Sequence, residues 1–87
     1  MRIDKFLKVS RIIKRRSVAK EIIDRGVIKI NGRVAKPASN VAIGDEIELV
    51  LGRHLLVVRV LKLKDTTKKA EAEDLYEIIS DEIIEEQ

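Results

Sequence analysis

The sequence contains no cysteine and no tryptophan, one proline, one histidine, and two aromatic residues, Phe6 and Tyr76. Without cysteine there is no disulfide framework and no thiolate metal site. His54 alone leaves little material for a metal centre or an imidazole base, so no metal and no other cofactor is expected. No apolar run approaches the length of a membrane span. The N-terminus carries Arg2, Asp4 and Lys5 where a signal peptide would place its apolar segment, so a cytoplasmic protein with no membrane partner is expected. A nucleophile with a nearby base, a glycine-rich phosphate loop and paired acids in a concave setting are all missing, and no enzyme is expected. With 87 residues the chain has room for one domain. Its core must be small and built mainly from Ile, Val and Leu.

What the sequence has in abundance is charge, unevenly spread. The formal net charge is only +3. Residues 1–36 nevertheless hold twelve Lys and Arg against three acids (Asp4, Glu21, Asp24), a local balance of +9. Residues 71–87 hold eight acids and no base. Such blocks signal interaction or solvation more than fold. The basic end calls for a polyanionic partner, with nucleic acid foremost.

Periodicity places the elements. Ile3, Phe6 and Leu7 form one apolar stripe of a short helix over 3–9, which must dock through Phe6 because so short a helix does not persist alone. Ile12 and Ile13 of the connector 10–16 are expected to plug the core. Ser17 reads as the N-cap of a second helix over 18–25, with Val18, Ala19, Ile22 and Ile23 buried and Gly26 ending it in the left-handed region. Residues 27–30 read as a strand, and Asn31-Gly32 is a strong hairpin signal because both central residues of the turn need positive φ. Pro37 stops the return strand. Strands are expected at 46–51 and 54–63, with a bulge near 59–61 reconciling the second strand's imperfect alternation. After Asp65, Thr66 or Thr67 could cap a helix from Lys68, but LYEII fits a closing strand equally well. The last residues, SDEIIEEQ, are expected to fray.

The candidate site is the basic face of the first two helices. Phosphates favour flexible ammonium groups and bidentate guanidinium forks, and Arg2, Lys5, Lys8, Arg11, Lys14, Arg15, Arg16 and Lys20 supply both. Free amides at a helix start would favour a phosphate near Ser17. Structured RNA is preferred to duplex DNA. The second helix is short for major-groove reading and its outward face includes Glu21 and Asp24. With Phe6 in the core there is no aromatic platform for stacking bases, which leaves shape and phosphate recognition. Asn31 and Lys36 join the candidate RNA contacts, although Asn31 reads first as a turn former. Asp4 would complement the helix dipole and could orient Arg2 or a nearby arginine. Thr66-Thr67-Lys68-Lys69 could contact RNA or could simply start a helix. His54 has no predicted carboxylate partner.

The stretches R-I-D-K-F-L (2–7), Arg11, Arg16-Ser17-x-Ala19, Gly26-x-I-x-I-Asn31-Gly32, Pro37-x-Ser39 and V-x-I-Gly44-Asp45-x-I resemble the RNA-binding domain first seen in small-subunit ribosomal protein S-four. The match is strongest over 2–49. The short length and the continuation LKDTTKKAEAEDLYEI resemble the stand-alone RqcP (YabO) family, related to the fifteen-kilodalton heat-shock protein. The resemblance implies an α+β fold of the S-four type, with two N-terminal helices on a small, mostly antiparallel sheet and a C-terminal helix or strand. It implies a domain over 1–65 and an acidic extension over 66–87, packed on or trailing it. It also implies a non-catalytic, monomeric factor of ribosome-associated quality control. The partners implied are rRNA of obstructed large subunits, P-site peptidyl-tRNA and RqcH, whose alanine tailing of stalled chains the factor would support. Arg2 and Arg16 match the family's RNA-contacting arginines most closely. The alternatives are an accessory RNA-binding module for an RNA-modifying enzyme, or a protein–protein adaptor working through the acidic tail.

Overall fold

The computed structural model describes residues 1–84. Helices α1 (Ile3–Val9) and α2 (Arg16–Asp24) precede strands β1 (Ile28–Ile30), β2 (Arg33–Val34), β3 (Glu46–Leu51) and β4 (His54–Val60). A short helix α3 (Lys69–Ala72) and a 3₁₀ turn (Glu73–Leu75) then lead into β5 (Tyr76–Ile83). The strands form one sheet in the order β2-β1-β3-β4-β5, with every neighbouring pair antiparallel. The expected α+β architecture is therefore observed.

The apolar stripe of α1 decides how the helices sit. Ile3, Phe6 and Leu7 are fully buried, packed in one core with Ile23 of α2 and with Ile28, Ile47, Leu49 and Val58 of the sheet. Phe6 is the largest of these side chains, and its truncation to alanine would cost about 3–5 kcal/mol. Ile13 is buried and Ile12 partly so, which anchors the connector between the helices. The chain start is clasped by the loop after β2: the Ile3 amide donates to the Ser39 carbonyl at 2.8 Å, and the Val41 amide to the Met1 carbonyl at 2.8 Å. Arg2 and Asn40 thereby form an isolated antiparallel bridge.

The hairpin follows its turn chemistry. Asn31 has φ 50° and Gly32 φ 84°, the left-handed pair that Asn-Gly tolerates. The Asn31 side chain also locks the hairpin to the rest of the sheet. Its Nδ2 donates to Asp45 Oδ1 at 3.0 Å, and its Oδ1 accepts from the Glu46 amide at 2.9 Å.

Several expectations need correction. Helix α2 starts at Arg16 after an extended Arg15, so Ser17 lies inside the first turn and no side chain caps the helix. The ion pair between Arg16 and Asp4, described below, holds Arg16 within that turn. Val18 is substantially exposed rather than part of the buried face. Strand β4 ends at Val60, and the register shift falls at Val57/Val58, where Ile79 of β5 is the extra residue between partners Ser80 and Ile78. Residues 80–83 are paired in β5 instead of fraying, while residues 85–87 lie outside the described part of the chain. His54 does have a carboxylate partner, with Nδ1 lying 2.9 Å from Asp81 Oδ1 across the β4–β5 pair.

Candidate nucleic-acid interface

The centre of the basic face is a buried acid. Asp4 lies in the first turn of α1 with its side chain fully excluded from solvent. Its Oδ2 accepts from Arg2 Nη2 at 3.1 Å, and its Oδ1 accepts from Arg16 Nη2 at 3.2 Å and from the Lys5 amide at 2.8 Å. Burial alone would raise the Asp4 carboxyl. The Arg16 hydrogen bond and charge, the Lys5 amide and the Arg2 charge outweigh it and hold the group below its ordinary value, so it stays ionised. The arginines themselves remain partly open, with side chains 45% and 39% exposed. Each guanidinium spends part of its fork on Asp4 and keeps further N–H donors for an outside acceptor. Arg16 Nε is buried and has no hydrogen-bond partner among the described residues.

Beside this centre, Lys5 Nζ contacts Asp65 Oδ1 at 2.8 Å, a pair that lowers the Asp65 carboxyl through the Lys5 hydrogen bond and charge. Beyond the end of α1, Arg11 adopts φ 61° and its Nη2 reaches the Thr67 carbonyl at 3.4 Å. Lys8, Arg11 and Lys14 line one groove. Among the described residues, Lys8, Arg11, Lys14, Arg15, Lys20 and Lys36 have no carboxylate at ion-pair distance. Phosphate could therefore reach these six without first displacing a carboxylate.

The structure thus brings Arg2, Lys5 and Arg16 together around Asp4 and gathers Lys8, Arg11 and Lys14 at the far end of α1. Arg15 and Lys20 stand exposed at the start and on the outer side of α2. Lys36 lies apart, on the loop whose Ser39 hydroxyl accepts its amide at 2.9 Å. Asn31 spends both polar atoms on Asp45 and the Glu46 amide. Sequence reasoning passed over Arg33 and Asn40, which share a second groove with Asn31 and Ser39. No local pattern marks Asn40, which the fold brings to the site by its bridge with Arg2. Among the described residues no helix is long and apolar enough to cross a membrane.

A basic two-helix unit on a hairpin sheet, with arginines held by an acid in the first helix, defines an S4-domain protein. Residues 1–47 match the family described as S4 domain. The chain is 55% identical over 86 residues to the RQC P-site tRNA stabilizing factor of Streptococcus pneumoniae, covering 99% of this chain and 98% of that one. It is 56% identical over 82 residues to the protein of the same name from Bacillus subtilis, covering 94% and 95%. A solved trimeric structure of Vibrio cholerae heat shock protein 15 superposes with a TM-score of 0.86 at 33% identity, covering 92% of this chain and 82% of that one. The chain belongs to the family of RQC P-site tRNA stabilizing factors. The resemblance read from the sequence is borne out.

Proposed function

We propose that this protein is a non-catalytic, cytoplasmic RNA-binding factor of ribosome-associated quality control. It binds obstructed large ribosomal subunits, touches both large-subunit rRNA and P-site peptidyl-tRNA, and supports RqcH-directed alanine tailing while the ribosome itself performs the chemistry. The chain acts as a monomer. The observation that carries this reading is the Arg2–Asp4–Arg16 cluster: two half-exposed guanidinium groups anchored from within, on a face where five further cations have no acidic partner among the described residues. Pre-ordered arginines lose little side-chain freedom on meeting phosphate. The names of the relatives, which stabilise P-site tRNA, agree with this chemistry.

An adaptor working through its acidic end fits less well. Glu77 and Asp81 are engaged with Arg59 and His54 across the β4–β5 pair, at 2.8 Å and 2.9 Å.

The test is gradient sedimentation of tagged protein from a lysate, with an Arg2→Ala/Arg16→Ala variant alongside. The expected result is migration with free large subunits that carry tRNA, lost in the variant. Migration of both forms at the top of the gradient would overturn the reading.

A further inference from the structure

A second basic feature lies at the other end of α1 from Arg2. An open groove of about 780 Å³ runs between the end of α1 with its connector and the segment 65–69. Lys8, Arg11 and Lys14 line one wall, and Asp65, Thr67 and Lys69 the other. The walls are tied to each other. Arg11 Nη2 donates to the Thr67 carbonyl at 3.4 Å, and the Thr67 hydroxyl donates to the Val9 carbonyl. Arg11 is held in the left-handed region, φ 61°, a conformation that costs a non-glycine residue energy and that clusters at functional positions.

The charge balance of the groove is one-sided. Its acid, Asp65, is spent on Lys5 at 2.8 Å. Lys8, Arg11, Lys14 and Lys69 have no carboxylate at ion-pair distance among the described residues. Four like charges around one depression repel one another until a polyanion enters. No aromatic side chain lines the groove, so it offers nothing for bases to stack on. What it offers is ammonium groups, a guanidinium and the Thr66 hydroxyl, the donors that suit a phosphodiester backbone regardless of sequence.

We infer that this groove is a second RNA-backbone site, separate from the Arg2–Arg16 pair, and that Lys69 is one of its phosphate contacts. The inference rests on the proposed function and deepens it. The S4 match ends at residue 47, so the wall carrying Lys69 is built by the chain's own continuation. Helix α1, seven residues and hence about 10 Å long, separates the two sites. Two cation clusters at opposite ends of one helix can hold two RNA segments at once.

The experiment measures binding of the full-length protein to purified large subunits carrying P-site tRNA, across a salt series. Lys69→Glu is compared with Arg53→Glu, an equal charge change on the exposed β3–β4 turn. Lys69→Glu should weaken binding about tenfold, and Lys69→Ala should reduce the magnitude of the log–log salt slope by about 0.7–0.9. Arg53→Glu should change affinity less than about twofold. If melting shows that Lys69→Glu is unfolded, Lys14→Glu on the opposite wall carries the same expectation. Wild-type binding with the groove variant indistinguishable from Arg53→Glu would overturn the groove and leave the proposed function standing. Failure of the wild-type protein to bind the particle would overturn both.

Discussion

Arg2 and Arg16 meet on one buried carboxylate, taking opposite oxygens of Asp4 at 3.1 Å and 3.2 Å. The first arginine lies just before α1 and the second opens α2, so the same carboxylate fastens the helices to each other and aims two guanidinium groups outward. An acid at the heart of the proposed RNA-binding face would be counterproductive if the face worked by net charge alone. Its place is explained by orientation.

Asp4→Asn tests that directly. The amide keeps the shape and an oxygen for the Lys5 N–H and Arg16 Nη2, but its NH2 cannot accept from Arg2 and the negative charge facing both arginines is lost. Stability should fall by about 1–3 kcal/mol. RNA affinity should fall about tenfold through lost pre-organisation, although the protein becomes more positive. Tighter binding of the variant in a filter assay would show that Asp4 does not position the arginines.

Acid sensitivity follows from the same carboxylate. The folded Asp4 titrates below its ordinary value of 3.8, so the unfolded chain binds a proton first as the pH falls. The stabilisation is fully present above the unfolded value and is lost as pH drops through 3.8 toward the lower folded value. Melting temperatures followed from about pH 6 to about pH 2 should show a decline over this range that is shallower in Asp4→Asn.

Arg16 and Lys20 both project from α2 and should separate binding from structure. If about six cations contact phosphate, the log–log salt slope is roughly −4. Arg16→Ala should shrink its magnitude by about 0.7 and also destabilise the fold by about 1 kcal/mol, because Asp4 loses a partner. Lys20→Ala is exposed and should move binding while leaving the melt within about 0.5 kcal/mol. Calorimetry on both variants, beside the salt series, checks the split.

Asn31 should behave as a structural residue. Asn31→Ala removes two hydrogen bonds and places a Cβ-bearing residue without local side-chain bonding at φ 50°, for a loss of about 2 kcal/mol. Asn31→Gly loses the same bonds without the strain and should be about 1 kcal/mol more stable than Asn31→Ala. Denaturant titration measures the difference, and RNA affinity of the folded variants should be nearly unchanged.

Much of the fold was legible because local signals agreed with tertiary demands. The i, i+3, i+4 stripe gave α1 its limits, Asn31-Gly32 the hairpin, and the alternation of Ile47, Leu49 and Leu51 the strand β3. Legibility failed where distant contacts overrode local preference. Ser17 has cap chemistry, but Arg16 is drawn into the helix by an acid twelve positions earlier. LYEII has no decisive period, and pairing with β4 settled the strand. The basic face could be counted from sequence. Which cations were anchored and which were open depended on Asp4 and Asp65, whose partners only the folded chain identifies.

The acids of β5 occupy one edge strand of the sheet, while half of the cations without an ion-pair partner among the described residues belong to the helices and the connector between the first two. The molecule therefore carries an electric dipole fixed in its own frame. In the field of a large polyanion such a body experiences a torque as well as an attraction. It rotates during approach, within roughly a Debye length of about 8 Å, and arrives with its arginines leading and its acidic edge trailing. Collisions that would otherwise present the wrong side are turned into productive ones before any atom touches.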